Sequence, residues 1–206
     1  MMHTVMAWER ALPWLAIALV TGYALGSIPF GLLLARLRGH GDLRQMGSGN
    51  IGATNVLRTG DRLAAALTLL LDAAKGAFAV STFSVWGPLA AMVAGFGAFV
   101  GHLFPVWLRF RGGKGVATWL GVMLVLHWPT GLLCCAVWLG VAAVTRYSSL
   151  SALVSAASAP LWLMLFAQWG YVLLALILAG LLALTHAKNI LRLIRGEEPR
   201  IKLGRA

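Results

Sequence analysis

The chain has 206 residues, 60% of them hydrophobic and only 11% charged, with a formal net charge of +11. Soluble domains carry about a quarter charged residues, so an ordinary soluble globular protein is excluded. Nucleic-acid binding is excluded too, because the basic residues sit in short clusters between apolar runs and form no continuous face.

Residues 1–10 contain His3, Glu9 and Arg10 but no strongly basic leader, and the apolar run after them continues past Leu25. It reads as a first spanning helix and not as a cleaved signal peptide. That span covers about Leu12 to Leu37 and contains Gly26, Ser27, Pro29 and Gly31. Pro29 lacks a backbone N–H and predicts a kink; a membrane tolerates such a break where it faces protein or a polar cavity. After Arg36, Arg38 and Arg44 comes a polar stretch, GSGNIGATNVLRTG at 47–60, and then a second span from about Leu63 to Phe83. This span carries Asp72 and Lys75, three residues apart and on one helical face. Charges inside a span face the bundle interior, and a mutual ion pair that fixes packing is the expectation here.

Trp86, Gly87 and Pro88 form a turn before a third span that runs to about Leu108. Gly95, Gly97 and Gly101 let its neighbours approach closely. The apolar runs 116–128 and 129–145 are each short for a crossing, so two spans and one re-entrant hairpin both fit. Cys134 and Cys135 lie inside the second of these, as core residues without metal-ligand spacing. Arg146–Ser151 is a polar break, a sixth run reaches about Ala167, and the last run ends near Thr185 before a basic tail. All lysines and arginines except Arg10 and Lys75 fall in the loops 36–62, 109–114 and 146 or in the tail from 188. The positive-inside rule puts those segments in the cytoplasm and the N-terminus outside.

The unusual polar stretches share that side. In 47–60, Gly47, Gly49 and Gly52 can adopt positive φ and uncover backbone N–H groups. Successive N–H groups make a nest suited to phosphate. Ser48, Asn50, Thr54 and Asn55 add side-chain donors and Arg58 a fixed cationic fork. A flexible connector is the plain alternative, but this density of glycine and donors favours an anion site. In 109–115, Arg109, Arg111 and Lys114 flank Gly112, Gly113 and Gly115, which suits either a phosphate loop or a positive-inside loop. Val116 breaks any match to a nucleotide-binding P-loop. His186 and Asn189 are three apart and share a helix face, so Asn189 can orient the imidazole or bind substrate. No cluster suggests a metal and no cofactor is implied. The whole, 1–206, reads as one all-α integral membrane domain with a cationic, donor-rich pocket. An enzyme acting on phosphorylated lipid precursors and a membrane carrier for an organic phosphate are the two classes that fit.

Five segments are recognisable together: GSIPFGLLLARLRG, GSGNIGATNVLR, GHLFPVWLRFRGGKG, RYSSLSAL and HAKNILRLIRGEEPRI. In this order and spacing the chain resembles, over nearly its whole length, the bacterial acyl-phosphate:glycerol-3-phosphate acyltransferase family. The resemblance implies a polytopic bundle of seven transmembrane helices in the bacterial inner membrane. It also implies an N-terminus outside, a cytoplasmic C-terminus and an active site facing the cytoplasm. The implied reaction moves a fatty acyl chain from acyl phosphate to the 1-hydroxyl of sn-glycerol 3-phosphate, giving lysophosphatidate and phosphate, the first acylation of phospholipid synthesis. Membrane lipid and the enzyme that makes acyl phosphate are the implied further partners.

Carried onto this chain, the resemblance assigns Ser48, Arg58, Lys114, Ser149, His186 and Asn189 as catalytic. Gly47, Gly49, Asn50, Gly52, Thr54, Asn55, Gly112, Gly113, Gly115 and Glu198 become substrate-binding. Ser149 is taken as the serine of the RYSSLS segment, with Ser148 and Ser151 as its close alternatives. The His-x4-Asp pair of acyl-carrier-dependent glycerolipid acyltransferases is absent, since none of the five histidines has an aspartate five positions on. That points to acyl phosphate as donor, and away from acyl-CoA.

Overall fold

The computed structural model describes residues 8–201, with side chains from residue 11. The expectations on His3, Lys202 and Arg205 lie outside the described residues. The described chain is helical: α1 Trp8–Gly26, α2 Phe30–Leu37, α3 Ala53–Val56, α4 Arg62–Ser84, α5 Pro88–Leu103, α6 Val116–Leu126, α7 Trp128–Thr145, α8 Ser148–Leu165, α9 Trp169–Thr185 and α10 Ala187–Ile194.

The first span breaks where Pro29 predicts, with α1 ending at Gly26 and α2 starting at Phe30. The carbonyls released by the break do not stay bare. Trp107 Nε1 donates to Ser27 O at 2.7 Å, and Lys75 Nζ donates to Ile28 O at 3.0 Å. Re-pairing of this kind is what allows a helix break at membrane depth.

Five segments are long and apolar enough to cross a membrane: Ala11–Leu37, Arg62–Ser84, Pro88–Leu108, Trp128–Thr145 and Ser148–Leu165. A sixth forms if α9 and α10 count as one span, although a 66° bend separates them. The runs 116–128 and 129–145 become two distinct helices. α7 is long enough to cross, whereas α6 has 11 residues and measures about 16 Å at 1.5 Å per residue. His127 joins the two and caps α7, its Nδ1 lying 2.9 Å from Thr130 Oγ1.

Helix α1 lies along α5, α4 is wedged between α5 and α6, and α7, α8 and α9 follow side by side. The α1–α5 seam is built on missing side chains. A Cβ at Gly22 or Gly26 would strike the backbone of Ala94 or Ala98, and one at Gly97 or Gly101 would strike that of Leu19 or Tyr23. Between helices in lipid, close backbone approach of this kind replaces the hydrophobic effect as the source of adhesion. The main core, with Phe99, Trp119, Met123, Leu163 and Leu178, fills the space between α5, α6, α8 and α9.

Alanine at Gly26 favours helix by about 1 kcal/mol, but the clash with Ala98 forces a backbone shift costing about 1–3 kcal/mol. Gly26→Ala is therefore expected to lower the thermal unfolding midpoint of the detergent-purified protein. Gly140→Ala, where an added Cβ meets nothing, is expected to leave that midpoint unchanged or raise it.

Candidate functional site

The polar stretches converge on one cavity of about 980 Å³. Its polar wall holds Ser48, Asn50, Thr54, Arg58, Lys114, Ser149, His186, Asn189 and Glu198 together with Gly47, Gly52 and Gly115. Its apolar extension is lined by Leu69 of α4, Val116, Ala117 and Leu120 of α6, and Cys135, Trp138 and Leu139 of α7.

The 47–60 loop is shaped from within by Asn55. The two N–H groups of the buried Nδ2 are shared among the carbonyls of Leu43, Met46 and Asn50 at 3.0, 3.1 and 2.8 Å, while Oδ1 accepts from Ser48 N at 3.2 Å. Asn55 therefore builds the loop and does not line the cavity. Gly47 and Gly49 have φ of +54° and +70°, and a Cβ at Gly47 would meet Asn55 Oδ1 and crowd the Arg58 guanidinium. Gly49 lies behind the loop, outside the cavity wall.

The second loop is clamped to the end of α5. Gly112 N donates to Leu103 O and Gly113 N to His102 O, both at 3.0 Å, and Thr185 Oγ1 donates to Lys114 O at 3.2 Å. Gly112 and Gly113 are needed for this contact: a Cβ on the first would strike the His102 carbonyl, and one on the second the His102 ring. They do not line the cavity; Lys114 and Gly115 do. Gly115, at φ +87°, opens α6 with no room for a Cβ beside Phe99.

One hydrogen-bonded chain ties the remaining stretches together. Lys114 Nζ donates to Asn189 Oδ1 at 2.5 Å, and Asn189 Nδ2 donates to Glu198 Oε1 at 2.6 Å. The same Oε1 accepts from Ser149 Oγ at 2.7 Å, and Oε2 accepts from Arg192 Nε at 2.7 Å. Of the three nearby serines, Ser149 is buried on Glu198, Ser148 lies 3.4 Å from Thr54 across the cavity mouth, and Ser151 donates back to Tyr147 O within its helix. In the sequence Arg192 reads only as part of a basic tail; its spacing six residues before Glu198 is the available signal. Nor does the sequence mark His102 and Asp72 as part of the cavity lining.

Burial and hydrogen bonding shift the titration of three groups in the cavity. Burial, with Arg192 and Arg58 nearby, pushes the Lys114 ammonium down to about 8, although Glu198 works the other way. Burial likewise lowers His186 to about 4, against the opposing effect of its bond to Leu182 O. His186 is thus neutral at physiological pH. Its Nδ1 lies 2.8 Å from the Leu182 carbonyl, which can only accept, so Nδ1 carries the proton and Nε2 keeps a lone pair. For Glu198, burial opposes ionisation, but the bonds from Ser149, Asn189 and Arg192 outweigh it and hold the carboxyl below its ordinary value.

Residues 16–196 match the family model described as "Glycerol-3-phosphate acyltransferase". A protein of that name from Cereibacter sphaeroides is 56% identical over 196 residues, covering 95% of this chain and 93% of its own length. Another from Rhizobium meliloti is 54% identical, covering 95% and 96%. Among solved structures, PlsY, an integral membrane glycerol 3-phosphate acyltransferase, matches in its glycerol 3-phosphate form with a TM-score of 0.82 at 36% identity, over 91% of this chain and 96% of that one. Its lysophosphatidic acid form matches with a TM-score of 0.83 at 34% identity, over 91% and 95%.

The Lys114 charge attracts an anion below about pH 8 and is lost above it. Affinity of the purified protein for a small organic phosphate, measured by calorimetry, is expected to fall as pH rises through about 8. Lys114→Arg keeps its charge to higher pH and is expected to flatten that decline; an identical decline in both proteins would remove Lys114 from the anion site.

Proposed function

The chain belongs to the glycerol-3-phosphate acyltransferase family, and from that premise we propose that the cavity carries acyl transfer from acyl phosphate to the 1-hydroxyl of sn-glycerol 3-phosphate. The protein is a multi-pass membrane enzyme of phospholipid synthesis. The observation that carries the proposed site is the joining of Lys114, Asn189, Glu198 and Ser149 into one network, beside an apolar slot between α4, α6 and α7. A cationic wall suits two phosphates, and the slot suits an acyl chain. Of the solved structures of PlsY, one is a glycerol 3-phosphate form and the other a lysophosphatidic acid form, which supports this reading.

In the proposed reaction the glycerol hydroxyl donates a hydrogen bond to His186 Nε2, which orients it. A group held to about 4 is too weak a base to keep the proton. The oxygen attacks the acyl carbonyl carbon, and the tetrahedral oxyanion then expels phosphate as the carbon–oxygen bond to it breaks. The hydroxyl proton passes to the departing phosphate, so ester and hydrogen phosphate form without a protein group changing charge. Arg58, Lys114 and the Ser48 hydroxyl hold the two phosphates together against their mutual repulsion. Effective molarity from such positioning and donation to the oxyanion supply the acceleration. Asn189 aligns Lys114, and Glu198 with Arg192 fixes Asn189.

We further propose seven crossings, with α6 and its flanking loop as the shortest. The N-terminus lies outside, and the cavity opens to the cytoplasm of a bacterial inner membrane. The basic loops support this orientation through the positive-inside rule. Residues 1–206 act as one domain, and the enzyme that makes acyl phosphate delivers the donor.

Purified protein given palmitoyl phosphate and glycerol 3-phosphate is expected to release lysophosphatidate and phosphate in equal amounts, with no product from palmitoyl-CoA. Arg58→Ala is expected to lower kcat/KM by about 10²–10³, the usual cost of one preorganised donor. Donor-independent uptake of glycerol 3-phosphate into sealed vesicles, without any ester product, would mark a carrier instead.

A further inference from the structure

Beneath the GGKG loop lies a buried polar cluster that the mechanism above does not use. Lys75 Nζ donates to Ile28 O at 3.0 Å and is bonded to His102 Nδ1 at 2.7 Å, and it forms an ion pair with Asp72 Oδ1 at 2.8 Å, outside hydrogen-bond geometry. The carboxylate beside it favours the ammonium form of Lys75, and an ammonium donates and cannot accept. His102 Nδ1 must therefore be the acceptor. Asp72 Oδ1 is 3.7 Å from that nitrogen, beyond hydrogen-bond reach, so Lys75 is its partner. A neutral imidazole that accepts at one nitrogen carries its proton on the other.

The second nitrogen, Nε2, lies against Gly113, one residue before Lys114, and His102 belongs to the cavity lining. Among the described residues Nε2 has no hydrogen-bond partner, although the residue is only 5% exposed. Glycine at 113 is what lets the ring edge come this close to the loop.

We propose that His102 is a further catalytic residue: a neutral Nε2–H donor, locked in that tautomer by Lys75, that binds a phosphoryl oxygen of a substrate seated in the cavity. Lys75 is then a positioning residue, acting only through His102. A neutral donor of this kind stabilises an anionic oxygen without exchanging a proton with it, the use to which a neutral histidine is put in other active sites. The tautomer lock matters because the opposite tautomer would present a lone pair to phosphate and repel it. This inference rests on the acyl-transfer reading of the cavity.

The test is nitrogen-15 NMR of imidazole-labelled, full-length protein in detergent, with wild-type turnover measured on the same preparation. Turnover decides the acyl-transfer reading; the His102 signals decide this one. The expected spectrum has an unprotonated Nδ1 and a protonated Nε2, and the Nε2 signal moves on saturation with glycerol 3-phosphate or with palmitoyl phosphate. Whichever ligand moves it identifies the phosphate concerned. A protonated Nδ1, or no movement with either ligand, would overturn the proposal.

Two variants add a kinetic readout. Asparagine at 102 keeps an acceptor near the Nδ1 position but cannot reach the Nε2 position, so His102→Asn is expected to lower kcat about 10²-fold. Glutamine can place an amide N–H near Nε2, so His102→Gln is expected to recover part of that loss. Near-wild-type turnover in His102→Asn, or no recovery in His102→Gln, would assign the residue to packing alone.

Discussion

Hydrocarbon offers no hydrogen bonds, so a polar group in this bundle is costly unless it finds a partner within the chain. The Lys75 ammonium is where that constraint is most concentrated. It sits at membrane depth and joins three elements: its own helix through Asp72, the broken first span through Ile28 O, and the end of α5 through His102. The break at Pro29, the charge pair in α4 and the seat of the GGKG loop are therefore one arrangement. Removing Lys75 would leave a carboxylate, a carbonyl and an imidazole nitrogen unpaired together, the kind of loss that buried ion pairs punish most.

The cavity above this anchor obeys the opposite logic. Its cations are left partly unneutralised. Lys114 meets a neutral amide oxygen and not a carboxylate, and Glu198 spends its charge on Arg192, Ser149 and Asn189. Pairing Lys114 directly with Glu198 would cancel the positive field of the cavity wall. Asn189 inserted between them transmits order without transmitting charge. Burial then lowers the ammonium toward 8.

Much of this was legible in the sequence because it is local. Proline within a span signals a break, glycines beside cations signal loops, and the distribution of basic residues puts those loops on one side. Asp72 and Lys75 could be paired from a spacing of three. What stayed hidden depends on contacts between distant segments. His102 is 27 residues from Lys75, and nothing in the pattern of α5 says which helix it faces. Asn55 carries the composition of a ligand donor, yet its four-fold bonding inside the loop makes it a builder. Gly112 and Gly113 read as phosphate-binding glycines; three-dimensional contact shows that their first service is to let the loop lie flat on His102. The apolar slot was also hidden, because α4, α6 and α7 are apolar nearly all round.

The central claim is that loops far apart in sequence form one composite anion site that performs acyl transfer. A double-mutant cycle between Arg58 and Lys114 on kcat/KM tests it directly, with Arg58→Gln, Lys114→Met and the double variant assayed with palmitoyl phosphate and glycerol 3-phosphate. Residues that share a ligand couple by about 0.5–3 kcal/mol, whereas independent sites add. Coupling within that range is the predicted result. Strict additivity would mean that the two cations serve separate places, and the composite site would be wrong.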